Sequence, residues 1–127
     1  MPKNCASDIY EIKDPNLQSI RGLDQADFIE KVLIVDDEPM HIMALTSLLE
    51  TEGIPSAFQT SGVKAIEHLA ELIYQKKPIY KVIIIDFCMK VMDGPQTAKQ
   101  IKELCNDARR KEPFLVCCSS NSEETFQ

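Results

Sequence analysis

The sequence predicts an α/β fold in which a parallel β-sheet carries helices on both faces. Two runs of β-branched residues and leucine, at 32–35 and 82–85, have the continuous apolar character of central strands that are buried on both sides. Segments with apolar residues at helical spacing separate the strand-like runs. Because strands that alternate with helices pair in parallel through right-handed crossovers, this order indicates one wound sheet.

Local signals place each element of this fold. Strands are predicted at residues 32–35, 57–60, 81–86 and 114–118. Proline opens the first and third helices, at Pro39 and Pro95, because a first helical position does not need the N–H that proline lacks. Gly53 ends the first helix, and Pro78 follows the end of the second. A polar loop at 119–124 then leads toward a further helix start.

The chain divides into a short N-terminal segment and one domain. Residues 1–30 show no clear hydrophobic period, so we predict a leader or linker there. Residues 31–127 carry all the predicted strands and helices. We therefore predict a single domain over 31–127, in keeping with a length of 127 residues.

Charge and cysteine usage exclude several classes of protein. A net charge of −6 and an isoelectric point near 4.9 argue against nucleic acid or an anionic membrane as the main partner. The five cysteines are odd in number and contain no C-x-x-C, so neither a disulfide framework nor a zinc site is predicted. Cys117 and Cys118 lie in the last strand and are interpreted as small core residues. Because the cysteines are predicted to be free, we expect a reducing compartment and therefore a cytoplasmic chain. No apolar stretch is long enough to span a membrane, so we expect no membrane contact.

Acidic residues stand where the two central strands end. Asp36 and Asp37 follow the first apolar run, and Asp86 follows the second. The carboxyl ends of parallel strands meet at one edge of a sheet, which is where ligands bind in open α/β folds. Converging carboxylates repel one another, so a hard cation is their natural partner. The sequence therefore predicts a Mg²⁺ site in which one aspartate can act as a nucleophile.

We assign no chemical role to three other features of the sequence. His41 lies in the first helix beside the acidic turn and is interpreted as a solvent-facing residue. His68 falls in the second helix, where we expect a structural role. Asp93-Gly94 is a turn signal in any fold.

Two motifs in this order resemble response-regulator receiver domains. The segment Val-Leu-Ile-Val-Asp-Asp-Glu-Pro at 32–39 is similar to the first strand and acidic turn of that family. The segment Asp-Phe-Cys-Met-Lys-Val-Met-Asp-Gly at 86–94 is similar to its phosphoacceptor loop, usually written D-x-x-M-P-x-x-D-G. The resemblance covers residues 31–127 and implies a flavodoxin-like strand order.

The resemblance also implies roles for individual residues. Asp86 would be the phosphoacceptor. Asp37 and Asp86 would bind Mg²⁺ through their side chains, Cys88 through its backbone carbonyl, and Asp36 through water.

A residue at the end of the fourth strand would hydrogen-bond the phosphoryl group. Ser119 is the predicted match, and Ser120 is the alternative if the strand register shifts by one residue.

The chain departs from the family pattern in two places. Lys90 stands where the family usually has proline after Met89, which is expected to loosen the loop and add a cation near the site. The sequence also stops before the family's fifth strand, last helix and phosphoryl-contacting lysine. We therefore expect an incomplete receiver domain from a larger sensor kinase or regulator.

The function implied is that of a switch rather than an enzyme. The domain would accept a phosphoryl group from a histidine kinase or its phosphotransfer domain. A non-phosphorylated pseudo-receiver that acts as a protein-interaction module is the alternative; the missing lysine favours it, and Asp37 with Asp86 argues against it. A haloacid-dehalogenase-like phosphatase would need D-x-D-x-T after the first strand, and Asp36-Asp37-Glu38-Pro39 lacks that pattern.

Overall fold

The computed structural model describes residues 28–119, which form a four-stranded parallel sheet with three helices. The predicted order βαβαβαβ is confirmed. The elements in chain order are β1 (Phe28–Val35), α1 (Pro39–Thr51), β2 (Ser56–Gln59), α2 (Gly62–Tyr74), β3 (Ile79–Asp86), α3 (Gly94–Asp107) and β4 (Phe114–Cys118). Most of the predicted leader and the loop after residue 119 lie outside the described residues. Within 28–119, no helix combines the length and apolar character needed to span a bilayer.

The strands are arranged in the order β2-β1-β3-β4, and each neighbouring pair is parallel. The two long apolar strands β1 and β3 are therefore central, as predicted. The chain leaves β1 toward one edge of the sheet and leaves β3 toward the other. The boundary between β1 and β3 is thus the switch point of the topology, at whose carboxyl end ligands bind in folds of this class.

Strand β1 begins four residues earlier than the sequence predicted. Phe28 and Ile29 pair with Ile79 and Tyr80 of β3, and the register shifts between Ile29 and Val32. Both early residues pack against the core while half-buried. The charged pair at 30–31 interrupts the apolar run, which is why the pattern did not reveal this extension.

One face of the sheet holds the main hydrophobic core. Alternate residues of β1 and β3 pack there against α2 and α3 and are fully buried, as expected from the two-residue period of a strand. This set comprises Leu33, Val35, Ile83, Ile85, Ala65, Leu69, Ile101 and Cys105. On the other face, Ile34 of β1 and Ile42 of α1 are buried outside that cluster. Helices thus lie on both faces, in agreement with the predicted fold class.

The prediction that Cys117 and Cys118 are core residues is wrong. Both are exposed, although they belong to β4. Within the described residues β4 pairs with β3 alone, so it is the outer strand of this sheet. An apolar strand pattern cannot distinguish such an outer strand from a buried central one.

Candidate functional site

Two buried carboxylates lie at the carboxyl edge of the central strands. Asp36 directly follows β1 and Asp86 ends β3, and each is 5% exposed. Because Val35 and Ile85 point into the α2–α3 core, alternation turns Asp36 and Asp86 to the opposite, α1 face. The same period that builds the core therefore delivers both carboxylates to one side of the switch point.

The start of α1 holds Asp36 in place. Its Oδ1 accepts a hydrogen bond from the Glu38 backbone N–H at 2.9 Å, and its Oδ2 lies 3.2 Å from Nδ1 of His41. The His41 side chain is 41% exposed, whereas that of Asp36 is 7% exposed. The interpretation of His41 as a solvent-facing residue is therefore only partly correct, because the side chain is partly exposed but its ring also contacts the acidic turn.

The donor set at this edge fits a divalent cation. Among the described residues, Asp36, His41 and Asp86 each offer a potential ligand atom, and these atoms lie within 4.8 Å of one another. Two carboxylates buried at this separation repel each other unless positive charge is placed between them. Carboxylate oxygens are preferred by hard cations, and imidazole adds a donor suited to transition metals.

Asp37 links the turn after β1 to the loop after β3. Its Oδ2 accepts a hydrogen bond from the Lys90 backbone N–H at 3.0 Å. A proline at position 90 would have no N–H to donate. The expectation that Lys90 loosens this loop is therefore wrong for its backbone, because this residue ties the loop to Asp37.

Gly94 brings the start of α3 against the backbone at the end of β3. A Cβ added to Gly94 would lie 2.5 Å from the Asp86 carbonyl oxygen and 2.8 Å from Cα of Phe87. The Gly94 N–H donates to the Phe87 carbonyl at 2.9 Å, and Asp93 forms a capping box with Gln96. The sequence identified Asp93-Gly94 only as a turn, but the pair also fixes the backbone beside Asp86.

The loop that carries Cys88 and Lys90 is exposed and contains a strained residue. Val91 is 95% exposed and has a φ of 69°, a conformation that is unfavourable for a β-branched residue. The Met92 N–H donates to the Lys90 carbonyl at 2.7 Å, which closes a three-residue turn around Val91. Cys88 lies two residues after Asp86 with its side chain exposed, and its predicted backbone role stays a prediction.

Cys118 lies beside Asp86 across the strand pair. The two residues are partners in the parallel register, and the Phe87 N–H donates to the Cys118 carbonyl at 2.6 Å. Partial burial beside β3 raises the pKa of the Cys118 thiol, and the negative charges of Asp86 and Asp36 raise it further. Nothing in the sequence indicated this proximity, because a cysteine within an apolar strand is normally interpreted as a packing residue.

Ser119 is the residue that follows Cys118, one position beyond the last pair between β3 and β4. It is half-buried, and its Oγ has no hydrogen-bond partner among the described residues. Its predicted contact with a phosphoryl group stays a prediction. His68, in contrast, hydrogen-bonds the Tyr80 hydroxyl at 2.7 Å near the start of β3, away from the acidic edge. Its predicted structural role is confirmed.

Comparison with known proteins relates this arrangement to a large signalling family. The family model described as "Response regulator receiver domain" matches residues 32–127, more than half of the chain. The transcriptional regulatory protein ZraR of Escherichia coli K12 is 34% identical over 94 residues, which is 74% of this chain and 19% of the relative. Hybrid signal transduction histidine kinase L of Dictyostelium discoideum is 34% identical over 80 residues, 63% of this chain and 4% of the kinase.

These relatives are much longer than the matched segment. A CpxR homolog of Haemophilus influenzae is 31% identical over 61% of this chain, and the match spans 31% of that regulator. The present chain thus corresponds to a minor part of each of these proteins.

Solved structures agree on the fold. The receiver domain of the Arabidopsis thaliana histidine kinase CKI1, crystallised with Mg²⁺ and BeF₃⁻, superposes with a TM-score of 0.65 at 24% identity. The match covers 81% of this chain and 76% of that one. The strand order, the motifs and the family match lead to one conclusion. The chain belongs to the response-regulator receiver domains, the phosphoryl-accepting modules of two-component and phosphorelay systems.

Proposed function

We propose that Asp86 accepts a phosphoryl group from the phosphohistidine of a histidine kinase or its phosphotransfer domain, in a Mg²⁺-dependent reaction. The observation that carries this proposal is the position of Asp86. It is a buried carboxylate at the end of a central strand, at the switch point of the sheet and in one cluster with Asp36 and His41. The exposed loop that follows leaves a route for a partner protein to reach it.

The transfer is an in-line displacement at phosphorus. An Asp86 carboxylate oxygen supplies the electron pair for the new P–O bond, the P–N bond to the donor imidazole breaks, and the imidazole nitrogen keeps that electron pair. The product is an acyl phosphate on Asp86. The incoming group is negative and approaches Asp36 and Asp37 as well, so the approach is repulsive without compensating positive charge.

The same carboxylates are those that would hold the compensating cation. We propose Asp37 and Asp86 as side-chain ligands, Cys88 as a ligand through its carbonyl, and Asp36 as a ligand through water. When bound, Mg²⁺ would supply positive charge that neutralises the entering phosphoryl oxygens. The choice of Mg²⁺ is supported by the CKI1 receiver crystallised with Mg²⁺ and by a Pseudomonas aeruginosa receiver, PA1611, with magnesium in its active-site cleft.

Backbone contacts keep the acceptor in position during the transfer. Phe87, the next residue, is held on both sides, because its N–H donates to Cys118 and its carbonyl accepts from Gly94. These bonds restrain the chain that carries Asp86. The carboxylate therefore does not have to be ordered when the donor arrives, which lowers the entropic part of the barrier.

We propose Ser119 as the hydroxyl that hydrogen-bonds the phosphoryl group once it is attached. Its buried, unpaired Oγ supports this role, since phosphorylation would provide a partner. The register favours Cys118 as the neighbouring side chain, but a thiol is a weak donor. If Ser119 has this role, Ser119→Ala should shorten the lifetime of the phosphorylated state, and Cys118→Ala should not. The opposite pattern would assign the contact to Cys118.

The proposed role is that of a switch within a larger signalling protein or relay. ZraR and the Dictyostelium hybrid kinases extend far beyond the matched segment, and we propose a comparable context for this chain. The described cysteines 88, 105, 117 and 118 are free thiols, which suits a reducing compartment such as the cytoplasm. We propose no nucleic-acid or membrane contact by this domain.

Intact-mass measurement after incubation with acetyl phosphate and Mg²⁺ tests the proposal. The wild type should gain one phosphoryl group, Asp86→Asn should gain none, and a chelator should suppress the gain. Asp107→Asn is the matched control, because it makes the same change at an exposed aspartate at the far end of α3. Equal phosphorylation of the wild type and Asp86→Asn would contradict the proposal. A wild type that gains no mass with Mg²⁺ present would favour the non-phosphorylated interaction module.

A further inference from the structure

His41 lies at the mouth of the acidic cluster rather than on a free helix surface. Its Nδ1 is 3.2 Å from Asp36 Oδ2, and its potential ligand atom lies within 4.8 Å of those of both Asp36 and Asp86. The two carboxylates are buried and the imidazole is partly exposed. The ring thus covers two negative groups that already form one edge of a cation site.

The separation of the two side chains matches that of neighbouring ligands on one metal ion. Two donors that are each about 2.1 Å from a cation lie about 3.0–3.4 Å apart when they occupy adjacent coordination positions. The distance between His41 Nδ1 and Asp36 Oδ2 falls in this interval. A transition-metal ion held by both atoms would bind Asp36 directly, whereas Mg²⁺ is proposed to reach Asp36 through water. In such a site the imidazole would bind through Nδ1 as the neutral ring, with its proton on Nε2.

The chemistry of the added imidazole nitrogen determines which ions bind more tightly. Mg²⁺ favours oxygen ligands and gains little from an imidazole nitrogen, whereas Co²⁺, Ni²⁺ and Zn²⁺ bind imidazole well. We propose that His41 is a metal ligand that raises the affinity of this site for borderline transition-metal dications relative to its affinity for Mg²⁺. The inference rests on the proposed cation site at Asp86, but it concerns metal preference and does not require phosphorylation.

The test compares Co²⁺ and Mg²⁺ binding to the full chain and to matched histidine variants. His41→Asn removes the imidazole and keeps a polar side chain of similar reach. His68→Asn is the control, because His68 is the second of the chain's two histidines and bonds Tyr80 elsewhere. Titration calorimetry gives both affinities, and the visible absorption of Co²⁺ reports its ligands independently of any phosphotransfer.

We expect His41→Asn to lower Co²⁺ affinity by about 10–100-fold, the range typical for losing a metal-site partner. Mg²⁺ affinity should change by less than about threefold. His68→Asn should change neither affinity. An unchanged Co²⁺ affinity in His41→Asn would overturn the inference and leave the Mg²⁺ site intact. An equal loss of Mg²⁺ and Co²⁺ affinity would also overturn it, because His41 would then support the site as a whole rather than select among ions.

Two further outcomes identify the source of a failure. A thiolate-to-Co²⁺ charge-transfer band that persists in His41→Asn would assign Co²⁺ binding to the exposed cysteines and would overturn the inference. A wild type that binds neither ion would overturn the inference together with the proposed cation site. Persistence of Mg²⁺ binding in His41→Asn shows that the variant is folded and that its carboxylates are still in place.

Discussion

The two faces of the sheet are built from the same strands but differ in composition and coverage. On the α2–α3 face, Leu33, Val35, Ile83 and Ile85 are completely buried in one cluster. On the α1 face, Ile34 is buried, whereas Val82, Ile84 and Val116 are half-buried and Phe114 is 69% exposed. Toward the carboxyl edge this second face ends in Asp36 and Asp86, and there the packing residues give way to charged ones.

This difference separates stability from chemistry within a single β-sheet. A carboxylate in the α2–α3 core would be desolvated without a partner, at a cost of several kcal/mol. On the α1 face, Asp36 has the Glu38 N–H and His41 as partners, and solvent and loops lie nearby. One residue of strand register thus decides whether a side chain packs in the core or lies in the acidic cluster.

The largest expected effect on stability comes from truncating neighbouring residues of β3 on opposite faces. Ile83→Ala should lower the free energy of unfolding by about 2–5 kcal/mol, because Ile83 is fully buried in the cluster. Ile84→Ala should cost clearly less, since Ile84 is half-buried on the α1 face. Urea denaturation of both variants measures the difference. Equal losses of unfolding free energy in the two variants would show that both faces of the sheet contribute equally to stability, which would contradict our comparison.

Gly94→Ala should affect both stability and chemistry. The new Cβ would collide with the Asp86 and Phe87 backbone, so we expect a loss of about 1–3 kcal/mol and a strong reduction of phosphorylation. Gly53→Ala is the control. Gly53 has a φ of +74° and no atom within 4 Å of an added Cβ, so its cost should come from backbone strain alone. Normal phosphorylation of a folded Gly94→Ala protein would refute the positioning role.

Lys90→Pro tests the hydrogen bond that links the loop after β3 to Asp37. Loss of the donor should free the Asp37 carboxylate for a cation, and a bond worth about 0.5–1.5 kcal/mol corresponds to about 2–10-fold tighter Mg²⁺ binding. Lys90→Ala keeps the N–H and corrects for the lost lysine charge. In an Asp37→Ala background, where Mg²⁺ should bind weakly, Lys90→Pro should have no further effect. If Lys90→Pro and Lys90→Ala bind Mg²⁺ with the same affinity, the Lys90 N–H does not compete with Mg²⁺ for the Asp37 carboxylate.

The smallest expected effect concerns two adjacent thiols that face opposite sides of the sheet. Partial burial and the charges of Asp86 and Asp36 raise the pKa of Cys118, so its thiol should be protonated and slow to alkylate at neutral pH. Asp86→Asn removes one negative charge, which lowers that pKa and should accelerate alkylation of Cys118 at fixed pH. For Cys117 the pKa is raised by burial and by charges that do not include Asp86.

Cys117 is therefore the internal control for this measurement. Peptide mass spectrometry after a brief iodoacetamide treatment gives both alkylation rates in the same sample. Acceleration of Cys118 alone would confirm that it shares the face of Asp86. Equal changes at both thiols would indicate a general loosening of β4 instead.

The fold and the acidic edge could be predicted from the sequence because both follow from short-range patterns. Apolar runs define the central strands, and charge at their ends places Asp36, Asp37 and Asp86 along one edge. Contacts that depend on register or on distant backbone could not be predicted. The pairing of Cys118 with Asp86 and the bond from Lys90 to Asp37 join segments far apart in the chain. The approach of Gly94 to the Asp86 carbonyl depends on the path of the irregular loop between them.

His41 shows a different limit of prediction. It is only five residues from Asp36, and its contact depends on the angle at which α1 leaves the acidic turn. Helical spacing alone indicates which residues of α1 share a face, but it does not indicate where that face points. Exposure of β4 was missed for a similar reason, since a strand's sequence does not reveal whether a further element covers it.

The central claim is that the α1 face of the carboxyl edge presents a single phosphoacceptor. Reduction of the phosphorylated protein with borohydride converts an aspartyl phosphate to homoserine, and peptide mass spectrometry then locates the altered residue. We predict modification at Asp86 alone, with Asp36, Asp37 and Cys118 unmodified. Modification at Asp36 or Asp37, or a phosphoryl group retained on Cys118, would contradict the account.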